Sequence, residues 1–383
     1  MVRGLLLSAL LLAGCQGRRA PRENEALPPA PDPSIIRVVT FNAWGVPFRD
    51  RHDDLWDEVA PALQALRPDV VLLQEVWFED DAARLAEAFA AIGLNHQIHH
   101  ASDAPLAFDS AGLMIAARWP LRDERFVPFA AGRIPVRPWH VDWFSGKGVQ
   151  SAWIDHPDGP LRVATVHMQA DYDGVVYTDV RVAQTAELVA ELRPEPVHLL
   201  AGDFNSFEDE IEHRVVRDAL DLHSATAHRV DDILVGDGVT VAGGWWMHAP
   251  GVDLDGQPFA ISDHAILIAD VRPGPIAAPE RELDPTLRAD LRDFFADRRS
   301  ERWWKRGGGW LAVLVALLLV AASARNRRRG GRRAARALWL AMAVLATAGA
   351  YRGITVGHAR DRWREGAESI LLGQGSATPA DSR

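Results

Sequence analysis

Short apolar runs rich in β-branched residues recur between Ile35 and Arg272, and they constrain the fold of this chain more than any other feature. Runs of this kind, bounded by turn formers, are typical of buried strands. They alternate with segments of helical spacing, such as Asp54 to Leu66. Over residues 35–272 the alternation shows no internal sequence repeat. It predicts a layered α/β domain with several antiparallel strand pairs.

Polar residues stand at or just beyond the ends of these runs. Taken singly, a strand-terminal Asn or Asp is commonly a turn former, a lone His is commonly a core residue, and a Glu can be solvated. Side chains at one end of a sheet converge, however, so their joint placement favours one shared cleft. The residues concerned are Asn42, Glu75, His167, Asp203, Asn205, Asp231 and His264.

The oxygen-bearing members of this set suit a metal-assisted reaction on phosphate. Glu75, with Asn42 beside it, offers hard oxygen ligands for Mg²⁺, and Mn²⁺ is a plausible substitute. Such a metal neutralises charge on the phosphoryl oxygens. Asp203 and Asn205, two residues apart, would orient a water or hold a non-bridging oxygen.

The histidines complete a plausible acid–base set. His264 is the predicted general base, and Asp231 would fix its tautomer. His167 would donate to the phosphoryl group in the transition state. Together the residues predict hydrolysis of a phosphate ester.

Charge and cysteine content narrow the range of partners. Residues 35–272 hold 18 Lys and Arg against 38 Asp and Glu, a formal charge of −20. This acidity disfavours nucleic acid as a partner, since the phosphate backbone would be repelled. The single cysteine, Cys15, excludes internal disulfides and a Cys-based zinc site. Nothing in the pattern indicates an oligomeric state.

The N-terminus predicts export. Residues 1–14 have the basic start and apolar run of a signal peptide. The string ending in Cys15 resembles the bacterial lipobox, which predicts lipidation there; an ordinary signal or short anchor helix is the alternative. Residues 15–34, rich in proline and charge, predict a flexible tether.

The C-terminal part predicts a membrane anchor. Residues 273–306 form a linker with a juxtamembrane amphipathic helix, because Glu280 to Arg302 has helical spacing. Residues 307–352 hold two apolar segments, predicted to be transmembrane helices, and residues 353–383 a polar tail. Seven arginines in the intervening loop, 325–336, predict that this loop is cytoplasmic. The N-terminal domain would then lie outside the cytoplasm and face the periplasm. Its anchor would lie in the inner membrane of a bacterial envelope. One alternative is that the second apolar segment is re-entrant and does not cross the membrane. Another is that the two segments are a pair of buried core helices.

Six motifs carry a family resemblance. FNAWGVPF, LLQEVW, VHMQADYD, AGDFNS, RVDDIL and SDHA occur in that order and resemble the endonuclease/exonuclease/phosphatase superfamily. Within it, FNAWGVP and DWFSGKG resemble neutral sphingomyelinases, Mg²⁺-dependent phospholipase C-type enzymes. The resemblance covers about Arg37 to Val271. It implies a DNase-I-like fold, an α+β four-layer sandwich of two central sheets flanked by helices.

The resemblance also implies roles for individual residues. Glu75 would be the principal metal ligand with Asn42 beside it, and Asp263 with His264 would supply the base. His167, Asp203 and Asn205 would contact phosphate and the attacking water.

A loop and one departure from the family pattern bear on the site. The resemblance implies that Asp142 pairs with Lys147 near the catalytic mouth; the alternative is a solvated lysine on a surface hairpin. Asp231 matches the Asp of the family's R-[IV]-D pattern, but the next residue is Asp232 where the family usually has Tyr.

The implied function is hydrolysis of sphingomyelin to ceramide and phosphocholine at a membrane surface. Another choline lipid, such as lysophosphatidylcholine, is the main alternative, followed by an endonuclease of the same superfamily. A membrane lipoprotein that kept the fold but lost catalysis is the alternative outside enzymes. Trp245, Trp246 and Tyr172 would form an aromatic cage for choline or belong to the core.

Overall fold

The computed structural model describes residues 34–46, 52–101, 110–132, 140–172, 176–248, 250–252, 258–277, 282–298 and 357–373. The described residues up to Asp284 belong to one compact unit, and those from Pro285 onward belong to a second.

The first unit contains two six-stranded sheets, and the first of these holds both ends of the domain. Its strands are β1 (Ile36–Asn42), β2 (Val70–Gln74), β3 (His96–His100), β4 (Leu113–Ala117), β11 (Thr240–Met247) and β14 (Ile266–Arg272). They lie in the order β11-β14-β1-β2-β4-β3. Only β1 and β2 pair in parallel, and the other pairs are antiparallel.

The second sheet is built from the middle of the chain. Its strands are β5 (Leu121–Pro128), β6 (Gly148–Ile154), β7 (Leu161–His167), β8 (Leu199–Asp203), β9 (Leu222–His228) and β10 (Asp231–Gly236). They lie in the order β5-β6-β7-β8-β10-β9, with β7 and β8 parallel. A short hairpin of β12 (Pro250–Val252) and β13 (Pro258–Ala260) completes the strands described.

Helices cover the outer faces of the sheets. α1 (His52–Gln64) and α2 (Glu79–Ala91) pack Trp56 and Phe89 against Phe41 of the first sheet. α3 (Thr178–Leu192) and α4 (Ile211–Leu220) contact β6 and β9 of the second sheet. β1, β2 and β7 are covered on both faces, so all their residues are buried, and the apolar residues they contain made them recognisable from sequence.

The two sheets pack face to face through a second apolar core. Val38 and Leu72 from the first sheet meet Val163 and Leu199 from the second, and all four are fully or almost fully buried. The layers therefore run helix, sheet, sheet, helix. This confirms the predicted two-sheet α/β sandwich and fits the DNase-I-like fold.

The sandwich contains a structural repeat that the sequence does not show. β1-α1-β2-α2-β3-β4 and β7-α3-β8-α4-β9-β10 have the same element order, and their strands have the same lateral order within each sheet. β14 flanks β1 antiparallel, just as β6 flanks β7. The ends of β1 and β7 are therefore equivalent positions in the two halves.

The described part of the second unit is helical. Helix α5 covers residues 285–298 and begins at a proline directly after Asp284, a favourable start for a helix. This helix lies within Glu280 to Arg302, where the sequence predicted helical spacing. Part of the predicted polar tail is a helix, α6 (Gly357–Leu372), which buries Ala359, Ala367 and Leu371. Its apolar residues form a narrow stripe at intervals of four, which the polar composition concealed.

Several predictions lie outside the described residues. They concern the signal peptide 1–14, lipidation of Cys15, nearly all of the tether 15–34, and the segments 307–352 with the loop 325–336. Among the residues that are described, no helix has both the length and the apolar character needed to cross a membrane.

Candidate active site

Strand register brings the polar strand ends of both sheets to one edge of the sandwich. Asn42 at the end of β1 lies opposite Gln74 of β2. His167 at the end of β7 lies opposite Asp203 of β8, and Asp203 lies opposite Asp231 of β10. Because the sheets are stacked, these ends face each other across the interior.

Two side-chain hydrogen bonds join the sheets at this edge. The amide nitrogen of Asn42 donates to Oε1 of Glu75 at 2.9 Å and to Oδ2 of Asp203 at 3.0 Å. Beneath it, Nε2 of Gln74 donates to Oγ1 of Thr165 at 2.9 Å. The amide oxygen of Asn42 accepts from the backbone N–H of Trp44 at 2.9 Å, so its nitrogen faces the carboxylates. Asn42 thus orients Glu75 and Asp203, and its predicted role as a metal ligand stays a prediction.

Glu75 is held in a strained backbone conformation. Its φ of +63° lies in the left-handed region, which costs energy for a residue with a side chain and is a recurrent feature of functional sites. Gly45 of the FNAWG motif makes this possible, because a Cβ atom there would lie 2.2 Å from the carbonyl oxygen of Glu75. The motif glycine therefore allows the close approach of two loops that present the site.

The Glu75 carboxylate has the properties of a cation ligand. Its Oε2 atom is buried, and no hydrogen-bond partner meets it within the described chain. Burial raises the pKa of Glu75 to about 7, although Lys147 and Asn42 act in the opposite direction. A bound divalent cation would satisfy the free oxygen and stabilise the charged form, so the donor set fits a hard metal such as Mg²⁺.

A second set of ligand atoms lies next to Glu75. One atom each from Asp203, Asp231 and His264 falls within 4.8 Å of the others, a spacing that also suits a metal ion. One of these atoms is already engaged, because Nδ1 of His264 and Oδ2 of Asp231 are 2.8 Å apart. The metal role predicted for Glu75 and the base role predicted for His264 stay predictions.

His264 is oriented from both sides. Asp231 holds its Nδ1, and Ser262 accepts a hydrogen bond from its backbone N–H at 3.0 Å. Nε2 lies 3.8 Å from Oδ2 of Asp203 and 4.0 Å from Oδ1 of Asp263. Burial acts to lower the pKa of His264, but Asp231, Asp203 and Asp263 raise it well above its usual value. The nitrogen that faces the site can therefore exchange a proton.

His167 is paired with Lys147. The ammonium nitrogen of Lys147 lies 2.7 Å from Nε2 of His167, which must accept because the lysine can only donate. Burial, together with Lys147, lowers the pKa of His167 well below its usual value. In this arrangement His167 is neutral, and the positive charge on this side of the site belongs to Lys147.

Lys147 is buried rather than solvated. Its side chain is 4% exposed, its ammonium lies 2.9 Å from Oδ1 of Asp142, and Trp77 lies beneath it at 5.8 Å. Asp142 also accepts from Nε2 of Gln169 at 2.9 Å and from the backbone N–H of Ala170 at 2.8 Å. The alternative of a solvated hairpin lysine is wrong, and the loop is closed onto the site.

The remaining predicted residues also reach this edge. Oδ1 of Asp203 accepts from the backbone N–H of Asn205 at 2.8 Å, and the Asn205 amide donates to the carbonyl of Met168 at 2.8 Å. Asn205 has a φ of +50°, which asparagine tolerates. The structure thus brings together all ten predicted site residues of the domain, and Asp263, with a side chain 47% exposed, is the most exposed of them.

Sequence analysis did not find three supporting residues. Trp77 underlies Lys147, Gln169 holds Asp142, and Ser262 donates to the carbonyl of Asn42 at 2.6 Å. Each lies within two residues of a predicted site residue or inside a quoted motif. This closeness in sequence is the feature that could have indicated them.

The aromatic residues proposed as a choline cage do not form one. Trp245 packs into the outer core and Trp246 against the core between the sheets, because consecutive strand residues point to opposite faces. Tyr172 stacks on His140 at 4.4 Å and accepts from the N–H of Asp142. The three side chains are therefore not assembled around one ligand.

The two-sheet sandwich carries carboxylates, amides and histidines at one edge, and these groups suit chemistry on phosphate esters. The chain belongs to the Endonuclease/Exonuclease/phosphatase family, whose sequence profile matches residues 39–264. The family resemblance predicted from sequence is confirmed.

The chain is also similar to individual proteins. The chain is 26% identical over 197 residues to sphingomyelin phosphodiesterase 2 of Homo sapiens, covering 50% of this chain and 45% of that one. It is 26% identical over 189 residues to inositol phosphosphingolipids phospholipase C of Schizosaccharomyces pombe, covering 47% of this chain and 43% of that one. Sphingomyelinase C from Streptomyces griseocarneus superposes with a TM-score of 0.48 at 19% identity, covering 62% of this chain and 99% of that structure. The chain spans less than half the length of the curated relatives it matches.

Proposed function

We propose that this protein is a phosphodiesterase that hydrolyses sphingomyelin to ceramide and phosphocholine with the help of Mg²⁺. The observation that carries the proposal is the cluster of Glu75, Asp203, His264 and the buried Lys147 in a chain similar to sphingomyelin phosphodiesterases. Cation, carboxylate and imidazole groups at one edge are what cleavage of a phosphodiester requires.

The metal would be held by Glu75. When bound, Mg²⁺ would neutralise negative charge on the phosphate oxygens and on the leaving oxygen. Asn42 keeps the Glu75 carboxylate in place through the 2.9 Å hydrogen bond.

The side chains of the protein supply the proton transfer. Water attacks phosphorus, and its proton passes to Nε2 of His264. The bond from phosphorus to the ceramide oxygen breaks, and the ceramide oxygen takes a proton from solvent as it leaves. Asp231 stabilises the imidazolium that forms, through the 2.8 Å contact to Nδ1. The ammonium of Lys147 stabilises the negative charge that develops on the phosphoryl group, and His167 holds that ammonium in place.

The similarity to one relative favours a second possible headgroup, phosphoinositol. Similarity to an inositol phosphosphingolipids phospholipase C makes a phosphoinositol sphingolipid the second candidate substrate. The bond that is cleaved would be the same. Lysophosphatidylcholine remains the alternative outside sphingolipids.

The membrane assignment is a further part of the proposal. We propose a catalytic domain outside the cytoplasm of a bacterial cell, lipidated at Cys15 and anchored by the segments in residues 307–352. Support comes from the 18 uncharged residues from Gly307 to Ala324 and the arginine-rich loop that follows. A cysteine introduced at Glu365 should react with an impermeant reagent in intact cells, and one at Gly330 should react only after permeabilisation. The reverse pattern would overturn this topology.

Headgroup release decides the substrate. The purified protein would be given vesicles of sphingomyelin, lysophosphatidylcholine, phosphatidylcholine or an inositol phosphosphingolipid, each with Mg²⁺ and with EDTA. Release of phosphocholine from sphingomyelin, abolished by EDTA, is expected. Cleavage of a different lipid alone would reassign the substrate, and activity unchanged by EDTA would refute the metal requirement.

A further inference from the structure

A second group of polar and aromatic side chains lies next to Asp231. His228 at the end of β9 lies directly opposite Asp231 of β10, so their side chains point to the same face of the sheet. The His228 ring stacks on Trp246 with centroids 4.2 Å apart, and His248 contacts both rings edge-on at 5.8 and 6.0 Å. His264 is bonded to the same Asp231, so this group borders the catalytic centre.

His228 is unusual among the buried histidines. It is 5% exposed, yet neither ring nitrogen meets a hydrogen-bond partner anywhere in the described chain. By contrast His198, 7% exposed, accepts from the backbone N–H of Arg162 at 3.0 Å. A buried polar group without a partner is costly, so stability alone gives no reason for a histidine here; a phenylalanine would stack on Trp246 without that cost.

The chemistry of the ring indicates what it would bind. Burial, with His248 and Arg229, lowers the pKa of His228 to about 4, so the ring is neutral in use. A neutral imidazole has one donor and one acceptor, which matches a hydroxyl or amide group and not a second charge. The flat stack with Trp246 leaves these nitrogens at the ring edge.

We infer that His228, supported by Trp246, is a specificity-determining residue that binds a neutral hydroxyl or amide group of the substrate next to the scissile phosphate. This inference rests on the proposed function. In sphingomyelin the alcohol part carries a hydroxyl and an amide close to the phosphate, and both are groups of this kind. A phosphodiester without them loses the contact.

The test compares two substrates of the same enzyme. Short-chain sphingomyelin carries the hydroxyl and amide, whereas p-nitrophenyl phosphorylcholine carries neither. His228→Phe keeps a ring against Trp246 but removes both nitrogens. It should lower the ratio of kcat/KM for sphingomyelin to that for the aryl ester about tenfold, the size expected for lost hydrogen bonds between neutral groups. His228→Gln, which restores a donor and an acceptor, should recover part of the ratio.

His198→Phe is the matched control, because it also replaces a buried neutral histidine but lies outside the site. It should leave the substrate ratio unchanged whatever it does to stability. An equal loss on both substrates in His228→Phe, or no loss on either, would overturn the inference. The wild-type protein reports the proposed function separately: if it cleaves the aryl ester but not sphingomyelin, the proposed substrate fails. Inhibition of aryl-ester cleavage by short-chain ceramide then decides the role of His228, which is refuted if His228→Phe is inhibited as strongly as the wild type.

Discussion

Replacement of Lys147 tests whether the loop is closed onto the site in solution. Lys147→Met keeps the length of the side chain and its contact with Trp77 but removes the charge. The structure places the ammonium 2.9 Å from Asp142 in a setting where the two side chains are 4% and 7% exposed. Removing one partner of a buried ion pair costs about 3–5 kcal/mol, because the other charge stays buried.

The surroundings of Asp142 set the expected magnitude at the lower end of that range. Asp142 keeps the hydrogen bonds from Gln169 and Ala170, which partly compensate its charge. We therefore expect Lys147→Met to lower the free energy of unfolding by about 3 kcal/mol. The double variant Lys147→Met with Asp142→Asn should recover about 2 kcal/mol of this, because the buried charge is gone.

Urea unfolding followed by tryptophan fluorescence measures these differences. Arg122→Met is the control, since Arg122 forms an exposed ion pair with Asp155 at 2.8 Å and its loss should leave stability nearly unchanged. If Lys147→Met is as stable as this control, the ammonium is solvated in solution and the closed loop is refuted. Turnover should fall in Lys147→Met in either case if the ammonium meets the phosphate.

Three further predictions concern the metal, the base and a buried histidine. A raised pKa for Glu75 means that its charged form is disfavoured in the folded protein, a penalty that grows as pH rises from 4.5 to about 7. At pH 8 in EDTA, Glu75→Gln should therefore be more stable than wild type by about 1–3 kcal/mol, yet show no stabilisation by Mg²⁺ in thermal unfolding; a destabilised variant would contradict this. Because Nε2 of His264 must be free to accept a proton and its pKa is raised, kcat/KM should increase with pH above neutrality, and His264→Gln should lose about 10²–10⁴ in rate together with this limb. If kcat/KM of the wild type does not change with pH above neutrality, the general base would be Asp203 instead. Burial lowers the pKa of His198 to about 4, so the folded protein resists protonation of this ring and becomes progressively less stable as pH falls from 6.5 to about 4. In this pH range the free energy of unfolding of the wild type should fall by up to about 1.4 kcal/mol per pH unit, and that of His198→Gln by less. If acid destabilises both proteins equally, the lowered pKa of His198 is refuted.

The buried strands of the two sheets were predictable because their apolar runs need no knowledge of neighbours. β2 and β8 are buried along their whole length, and each ends in a polar residue of the site. β5 and β9 are largely exposed or half-buried, so their sequences carry no strong alternation. These two strands are recognised only in the structure, where β5 pairs with β6 and β9 pairs with β10.

The site residues were predictable as a set, but their interactions were not. Neither the 2.7 Å contact of Lys147 with His167 nor the donation by Asn42 to two carboxylates follows from spacing, because each joins residues from different parts of the chain. Protonation states depend on burial and on neighbouring charges, which only the packed structure supplies. For that reason the contact of His167 Nε2 with Lys147 was not predicted, and donation by His167 to the phosphoryl group stays a prediction.

Hydrolysis of sphingomyelin in water enriched in ¹⁸O shows whether water attacks phosphorus at this site. With Mg²⁺ present, we expect phosphocholine to be released carrying one solvent ¹⁸O and ceramide to carry none, because water attacks phosphorus. Glu75→Gln should give neither product under the same conditions. Solvent oxygen in the ceramide, or label-bearing products formed equally well by Glu75→Gln, would contradict the site and the chemistry assigned to it.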